Sequence, residues 1–338
     1  MFSLQIGVKS VDDLSPLPDF SGLTPDRVIE LTEATLGRRC TNLCRPLTSY
    51  INRVYDLEME DGAWVVAKFY RPGRWSRDAL QDEQDFVREL AAQELPVVAP
   101  LASQSGATLQ EHEGLYFALF PKRGGRPLDE PTEAQWLELG RLLARVHAIG
   151  ALHPPRDRIE LDPHQSTARH LEYILRLDFP RVTLRDRFET IVRDIVELIA
   201  PLFAEVEKLR IHGDCHRANI LCRPGEPFHL IDFDDMALGP AVQDLWMLLP
   251  GHVRDSRREL NLILEGYETF RTSDALDLRL IEPLRAMRFI HFTAWCARQK
   301  ADGGFARLLP GWGDEAFWQQ EIGDLERQRQ EICDALGQ

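Results

Sequence analysis

The alternation of apolar and polar residues divides the chain into a strand-rich first third and a mainly helical remainder. Short alternating or apolar runs predict six strands, and the Asp61-Gly62 pair between the second and third predicts a tight hairpin. A charged amphipathic run predicts one helix from Ser76 to Glu94. The strands are predicted at 43–48, 52–59, 63–70, 97–103, 107–112 and 115–120.

Helical periodicity dominates the other parts of the chain. Thr24 and Pro25 predict the N-cap and first position of a helix that ends near Gly37. A β-rich stretch around 209–233 interrupts a second group of helices. These helices are predicted at 132–149, 164–177, 183–207, 241–249, 254–272 and 277–300.

Two glycines and a proline between residues 122 and 127 predict a linker between two lobes. We therefore expect an irregular arm at 1–23, a small lobe at 24–121, a hinge at 122–127 and a large lobe at 128–338. The fold class is predicted as α+β, with an antiparallel sheet plus one helix in the small lobe and mainly helices in the large one. A cleft between two lobes is a common place for a ligand.

The composition is that of a folded protein without an obvious nucleic-acid or membrane partner. The 338 residues carry 40 basic and 54 acidic side chains, a net charge of −14, which argues against nucleic-acid binding. This acidity suits a cationic substrate, but solubility is the better explanation of it. No apolar run approaches the length of a membrane span, and the first 20 residues do not resemble a signal peptide. With six sparse cysteines taken as reduced thiols, we expect a cytoplasmic monomer.

The β-rich stretch places carboxylate and amide side chains at the ends of two apolar strands. Asn219 lies five residues after Asp214, and a hairpin through Pro224-Gly225 would bring Asn219 beside Asp232. An amide and a carboxylate oxygen suit Mg²⁺ that also binds phosphate oxygens. A further carboxylate, Asp214, would orient the hydroxyl that attacks the phosphate. The spacing therefore predicts phosphoryl transfer, as in the kinase signature of an aspartate, an asparagine five residues later and a second aspartate on the next strand.

A kinase of this type also requires a lysine on a strand and a carboxylate on the following helix. Lys68 lies in an apolar strand and Glu83 lies beside the apolar face of the next helix; Asp82 and Glu89 are its rivals. No glycine-rich phosphate loop is found. The turn from Thr48 to Arg53, which contains Ser49, could instead offer hydroxyl, amide and N–H groups to a phosphate.

These residues resemble a known family. HGDCHRAN followed by LIDFDD resembles the aminoglycoside phosphotransferase and choline kinase branch of the protein-kinase-like fold. The blocks FYRPGRW, FPKRGGRPL, GPAVQDLW and IEPLRAMRFI resemble the bacterial stress response kinase A (YihE/RdoA-type) family.

The resemblance implies a stress-related serine/threonine protein kinase that uses ATP and Mg²⁺, phosphorylates protein substrates and is capable of autophosphorylation. In such a kinase Asp214 accepts the proton and Asn219 and Asp232 bind Mg²⁺. Ser49 and Lys68 then lie at the ATP site.

Three further assignments are made on position alone. His216 either donates to the transferring phosphate or caps its loop. The segment from Phe117 to Lys122, with Phe120 as the cofactor-binding residue, is the expected hinge that reads adenine through its backbone. Asp244 either braces the catalytic loop or is a carboxylate favoured by a helix N-terminus.

Two other functions are compatible with the same motifs. A small-molecule kinase of the aminoglycoside, choline or homoserine kinase type is the alternative, because the fold does not decide the acceptor. Its cationic acceptor could be bound by acidic residues, of which the candidates are Asp234, Asp235, Asp255 and Glu282. A nucleotide-binding scaffold without activity is the third function, and the intact Lys68, Asp214, Asn219 and Asp232 argue against it.

Overall fold

The computed structural model of the protein describes residues 20–49, 51–273, 277–299 and 309–337, so most of the expected arm lies outside the described residues. The chain forms two compact units. The first unit contains the chain up to Gln84 together with Ala99–Arg123, and the second contains Asp85–Val98 together with the chain from Gly124 onward. Sheet and helices occur together, as the α+β prediction requires.

An antiparallel sheet is the framework of the first unit. Its strands follow the spatial order β1-β2-β3-β5-β4. The predicted hairpin is confirmed, since β2 pairs with β3 and the Gly62 N–H donates to the Met59 carbonyl at 2.9 Å, with a Gly62 φ of +82°. The strands are β1 (Cys40–Leu47), β2 (Arg53–Met59), β3 (Trp64–Phe69), β4 (Leu109–His112) and β5 (Leu115–Pro121).

Two helices accompany this sheet. Helix α1 (Pro25–Leu36) begins as predicted, because the Thr24 hydroxyl accepts from the Arg27 N–H, and it packs Val28 into the core of the sheet. Helix α2 (Arg77–Ala92) follows β3, and its residues from Asp85 onward belong to the second unit.

The strand predicted at 97–103 is wrong. Pro96 and Pro100 have no N–H to donate, and a strand cannot form a regular ladder around them. Val97 makes one isolated bridge to Leu230, and the rest of the segment is irregular.

Helices form most of the second unit. Helices α3 and α7 pack at glycine contacts: a Cβ on Gly140 would lie 2.0 Å from the Ile263 carbonyl oxygen, so no larger residue fits there. The helices are α3 (Glu133–Gly150), α4 (Ala168–Ile174), α5 (Val182–Ile199), α6 (Val242–Trp246), α7 (Arg257–Tyr267), α8 (Ile281–Gln299) and α9 (Glu315–Leu336).

Helix α9 is absent from the sequence prediction. Its start and stop signals are nevertheless present, since the Asp314 carboxylate accepts from the Phe317 N–H and Gly337 ends the helix with a φ of +70°. Trp318, Ile322 and Leu325 form its buried face.

Five short strands lie among these helices. They form one sheet in the order β6-β8-β9 and one pair, β7 with β10. The strands are β6 (Arg126–Pro127), β7 (Leu209–Ile211), β8 (Ile220–Cys222), β9 (His229–Leu230) and β10 (Ala237–Gly239).

The division of the chain differs from the expected boundaries at residues 85–98, which group with the second unit. Two contacts explain this grouping. Arg210 donates to the Glu89 carboxylate at 2.7 Å, and the Phe86 ring meets the Phe233 ring edge-to-face at 5.9 Å. The second half of α2 is therefore anchored beside the β-rich stretch of residues 209–233.

No helix in the described ranges is long and apolar enough to cross a membrane. All six cysteines lie at described positions and are free thiols.

Candidate active site

The loop between β7 and β8 carries Asp214. The turn depends on Gly213, which has a φ of +81° and whose hypothetical Cβ would lie 2.1 Å from the Asp235 carbonyl oxygen. The loop then folds back on itself. The Asp214 carbonyl oxygen accepts from the His216 N–H at 2.8 Å and from Asn219 Nδ2 at 3.0 Å. Asp214 and Asn219 are thus fixed relative to each other by the loop's own hydrogen bonds.

The two carboxylate oxygens of Asp214 have different surroundings. Oδ1 accepts from Arg288 Nη2 at 2.6 Å, whereas Oδ2 lies 3.5 Å from His216 Nε2. The Asp214 side chain is 17% exposed and that of His216 is 40% exposed. His216 makes no side-chain capping bond, and its Nε2 lies 3.5 Å from both Asp214 Oδ2 and Asn219 Nδ2. Oδ2 is therefore the oxygen best placed to accept a proton.

The carboxylate of Asp244 on α6 braces this loop by accepting hydrogen bonds from its backbone. Its Oδ2 accepts from the His212 N–H at 2.8 Å and its Oδ1 from the Gly213 N–H at 2.9 Å. Asp244 is fully buried, and the structure thus shows the bracing contact that the sequence left as one of two alternatives. Its place in the first turn of α6 also satisfies the helix-terminus interpretation.

A buried chain of polar groups continues behind Asp244. His147 on α3 lies with Nε2 3.1 Å from Asp244 Oδ2 and Nδ1 3.0 Å from the Tyr267 hydroxyl. Burial raises the pKa of Tyr267 well above its usual range, so the hydroxyl stays protonated. Because the Asp244 carboxylate is an acceptor, this contact is assigned with a ring proton on His147 Nε2, which donates to Asp244.

Burial also governs the thiol beside Asp214. Cys215 is completely buried, and desolvation, followed by the charges of Asp244 and Asp214, raises its pKa well above the ordinary value. The thiol is protonated at neutral pH and is no nucleophile.

Asn219 and Asp232 come together through the predicted hairpin, which is confirmed. Strand β8 pairs antiparallel with β9, and the Ile231 N–H donates to the Asn219 carbonyl at 3.0 Å. Asp232 follows in the left-handed region with a φ of +62°, a conformation that costs energy for a residue with a Cβ. Asn219 Nδ2 is used by the Asp214 carbonyl, which leaves the Asn219 amide oxygen to act as a ligand.

Lys68 and Glu83 form the predicted ion pair within the first unit. Lys68 Nζ lies 3.8 Å from Glu83 Oε1, and both side chains are at most one-tenth exposed. The Tyr70 hydroxyl lies 3.4 Å from the same Glu83 oxygen. Of the two rivals, Glu89 instead pairs with Arg210.

The remaining predicted cofactor-binding residues lie in the same unit. Ser49 is half-buried just after β1, in a turn whose Tyr50 lies outside the described residues. The turn is tied to the segment after β3, since Arg71 donates its N–H to Asn52 Oδ1 and its Nε–H to the Ile51 carbonyl, both at 3.0 Å. Phe120 on β5 is half-buried and registers with Val66 of β3.

Sequence reasoning did not single out three residues that support the site: Arg288, His147 and Tyr267. His147 sits on a helix whose buried face is mostly apolar, and a polar residue there is a signal that a buried partner exists. Arg288 lies in the block IEPLRAMRFI, and no local pattern connects it with Asp214, which is 74 positions away.

Two of the four acidic residues considered for a cationic acceptor are buried. Glu282 is buried and accepts from the Val253 N–H, from Arg285 and from Gln328, with His252 Nδ1 at 3.0 Å, and hydrogen bonding lowers its pKa despite desolvation. Asp234 is 4% exposed. Across the described residues, no group of three or more His, Cys, Asp or Glu side chains could hold a metal ion.

Comparison with known proteins identifies relatives of this chain. Residues 43–279 match the profile of the phosphotransferase enzyme family. Stress response kinase A of Escherichia coli strain K12 is 39% identical over 310 residues, covering 88% of this chain and 90% of that protein. Serine/threonine protein kinase RdoA of Salmonella typhimurium is 39% identical over 285 residues, covering 82% of this chain and 84% of that protein.

Solved structures share the fold. A structure of amicoumacin kinase in complex with AMP-PNP, Ca2+ and Ami superimposes with a TM-score of 0.70, covering 91% of this chain and 93% of that one. Its sequence identity is 20%, so this likeness describes the fold alone.

Proposed function

The chain belongs to the phosphotransferase enzyme family and, within it, with the stress response kinases A, and we propose that this kinase phosphorylates serine or threonine residues of proteins. The observation that carries the proposal is the 39% identity with the Salmonella typhimurium protein named as a serine/threonine protein kinase. ATP is the proposed phosphate donor and Mg²⁺ the proposed metal, and autophosphorylation is a further expectation.

In the proposed reaction Asp214 is the proton acceptor. The acceptor hydroxyl gives its proton to Asp214 Oδ2 as its oxygen bonds to the γ-phosphorus of ATP. The bond between that phosphorus and the bridging oxygen breaks, and ADP leaves. Because the transition state needs positioning more than covalent help, a carboxylate held by Arg288 and by its braced loop is well suited to the role.

The donor set of Asn219 and Asp232 fits a magnesium ion. Mg²⁺ prefers oxygen ligands, keeps several waters and takes others from phosphates, so one amide and one carboxylate oxygen suffice. Two observations support this assignment. Asn219 and Asp232 lie at adjacent positions in the β8–β9 hairpin, and the backbone of Asp232 is strained. When bound, the metal would neutralise charge on the phosphates of ATP.

The first unit contributes the proposed nucleotide contacts. Lys68, held by Glu83, would contact the phosphates. Ser49 and the turn to Asn52 would offer hydroxyl and N–H groups to them. Phe120 would contact the adenine, and His216 of the second unit would donate to the transferring phosphate.

The experiment that tests Asp214 is a comparison of Asp214→Asn with Asp194→Asn, an exposed carboxylate on α5. Loss of the proton acceptor should lower kcat by about 10²- to 10⁴-fold. ATP affinity by calorimetry should stay unchanged, because no proposed phosphate ligand is removed. Half of the wild-type rate in Asp214→Asn would exclude this role.

The acceptor is tested with labelled ATP. Label on the enzyme itself, on casein or on myelin basic protein supports a protein kinase. Label restricted to added amino alcohols, aminoglycosides or homoserine would instead establish the small-molecule alternative, which the fold of amicoumacin kinase keeps relevant. No transfer at all would indicate a nucleotide-binding scaffold.

A further inference from the structure

A small cavity lies beside the catalytic loop, entirely within the second unit. One face of α8 forms a wall of it through Leu284, Met287, Arg288 and His291, and Gly213 of the loop forms part of the floor. Its volume is about 50 Å³. Pockets for drug-sized ligands measure about 300–1,000 Å³, and a water occupies about 30 Å³ of liquid, so this space suits a group of a few heavy atoms.

Arg288 is the residue shared by this cavity and the proposed proton acceptor. One of its N–H groups donates to Asp214 Oδ1 at 2.6 Å, and its side chain is 29% exposed. A guanidinium has five N–H donors, and this is the one hydrogen bond that Arg288 makes among the described residues. The other donors are therefore available to a bound acceptor.

Arg285, one turn earlier on α8, has a structural role and provides a comparison for Arg288. It donates Nε–H to Glu282 at 3.2 Å and Nη2–H to the Gly251 carbonyl at 2.8 Å, and its guanidinium stacks over Trp246 at 4.8 Å. These contacts fix it to the core of the second unit. Arg288 has no such set of partners, and its charge is directed to Asp214 and the cavity.

His170, which also lines the cavity, carries no positive charge. His170 Nε2 lies 3.1 Å from His291 Nδ1, and burial, followed by the charge of Arg298, lowers the pKa of His170 to about 4. His170 is therefore neutral at physiological pH. Asp235 also lines the cavity and is its anionic residue.

We propose that Arg288 positions Asp214 for transfer and selects the acceptor. It holds Oδ1 and leaves Oδ2 for the acceptor hydroxyl. Its remaining N–H groups favour a serine or threonine in a neutral or acidic segment, because guanidinium pairs well with carboxylates. The inference rests on the proposed protein kinase function and names its acceptor class.

The test compares wild type with Arg288→Gln, Arg288→Lys and the control Arg187→Gln, an exposed arginine paired with Glu326 on the surface. Acceptors are dephosphorylated casein, which is acidic, myelin basic protein, which is basic, and 1-amino-2-propanol. Arg288→Gln should lower kcat with casein by about 100-fold, the scale of a misplaced reactive group, while KM for ATP is unchanged. Arg288→Lys should restore most of this loss, and Arg187→Gln should match wild type.

The charge-selection arm compares the acceptors. Arg288→Gln should lower the ratio of casein to myelin basic protein phosphorylation by about tenfold. An unchanged kcat in Arg288→Gln, or an Arg288→Lys variant that is folded but no better than Arg288→Gln, would overturn the positioning role. Unchanged acceptor ratios would overturn the selection.

Failure of the proposed function gives a different result. Wild type would then phosphorylate the amino alcohol and neither protein, which contradicts charge selection as well. The positioning role is still decided in that case by the ratio of Arg288→Gln to Arg288→Lys on the amino alcohol.

Discussion

Lys68 and Glu83 of the first unit are held by regular secondary structure, whereas Asp214, Asn219 and Asp232 of the second unit lie where short strands end. Lys68 is fixed on both sides, by Val54 of β2 and Ala118 of β5. The loop that carries Asp214 has no such ladder. Its geometry depends on Asp244, which is 30 positions after Asp214 in sequence.

This difference shows where single substitutions should matter most. A side chain on a strand keeps its direction when a neighbour changes, because the sheet's backbone bonds remain. An irregular loop braced by one buried carboxylate loses several contacts at once, since Asp244 accepts from His212 and Gly213 and meets His147. The second unit should therefore be the more sensitive of the two.

The largest effect is expected from Asp244→Ala. It leaves two buried backbone N–H groups and the His147 ring without an acceptor, at about 1–3 kcal/mol each before relaxation. We expect about 4 kcal/mol lower free energy of unfolding, and kcat lower by about 100-fold or more because Asp214 is displaced. Urea unfolding and initial rates measure the two quantities.

Tyr267→Phe is the matched control for that chain of polar groups. It removes only the hydroxyl that contacts His147 and leaves both carboxylate oxygens of Asp244 in place. It should therefore lower the free energy of unfolding by about 1 kcal/mol and change the activity little. A Tyr267→Phe loss as large as that of Asp244→Ala would show that the contact between the Tyr267 hydroxyl and His147, rather than the Asp244 carboxylate, controls the loop.

A smaller effect is expected when the ion pair of the first unit is broken. Lys68→Met and Glu83→Ala should each lower kcat/KM by about 100-fold, and the double variant should be no worse than either, because both remove the same unit. Glu89→Gln is the control. Its partner is Arg210, so its loss should add to that of Lys68→Met. Additive losses for Lys68 and Glu83 would show that their 3.8 Å contact is not functional.

The same contrast explains how much the sequence could predict. Five of the six predicted strands, the Asp61-Gly62 hairpin and α1 follow from local periodicity and turn chemistry and are observed, and so is the Lys68–Glu83 pair. The Asn219–Asp232 register follows from one hairpin. Spacing and donor chemistry predicted the roles of Asp214, Asn219 and Asp232, and the resemblance to a known family implied the same roles.

The partners that brace Asp214 could not be predicted, because they come from distant helices. Arg288 reaches it from α8, and His147 acts through Asp244 from α3. The hydrophobic periodicity of a helix does not indicate which of its polar residues contacts a given loop. Helix α9 was missed for another reason: its cap residues Asp314 and Gly337 were visible, but its long polar face obscured the apolar stripe.

A pH effect on stability alone is expected from His170 in the second unit. Its pKa of about 4 lies below the value of 6.5 in the unfolded chain, so the unfolded state binds the proton first as the pH falls. The contribution of neutral His170 to the free energy of unfolding is therefore complete above pH 6.5 and is lost progressively as the pH falls toward 4. Between pH 8 and pH 5 this amounts to about 2 kcal/mol.

The measurement is urea unfolding of wild type and His170→Gln across that range. The variant cannot gain a proton at this position, so its loss of stability between pH 8 and pH 5 should be smaller than that of wild type. Parallel pH profiles would assign the acid sensitivity to other groups.

The segment after Asp232 is where many protein kinases are switched on by phosphorylation. Here residues 233–243 contain no serine, threonine or tyrosine. The segment is held in place by its own contacts, since the Leu238 N–H donates to the Ile159 carbonyl at 2.9 Å and Gln243 Nε2 donates to the Gly213 carbonyl at 3.2 Å. Asp234 and Asp235 would also repel a phosphate.

We therefore expect no change in rate when the enzyme is treated with phosphatase, which makes this the smallest of the predicted effects. The loop is already ordered by β10 and by the start of α6, so there is no disordered state for a phosphate to convert. Treated and untreated enzyme should show the same rate from the first turnovers, although autophosphorylation elsewhere adds label. A lag after dephosphorylation that pre-incubation with ATP abolishes would contradict this. Because residues 233–243 offer no hydroxyl group, such a lag would mean that the phosphate controlling the rate lies elsewhere in the chain.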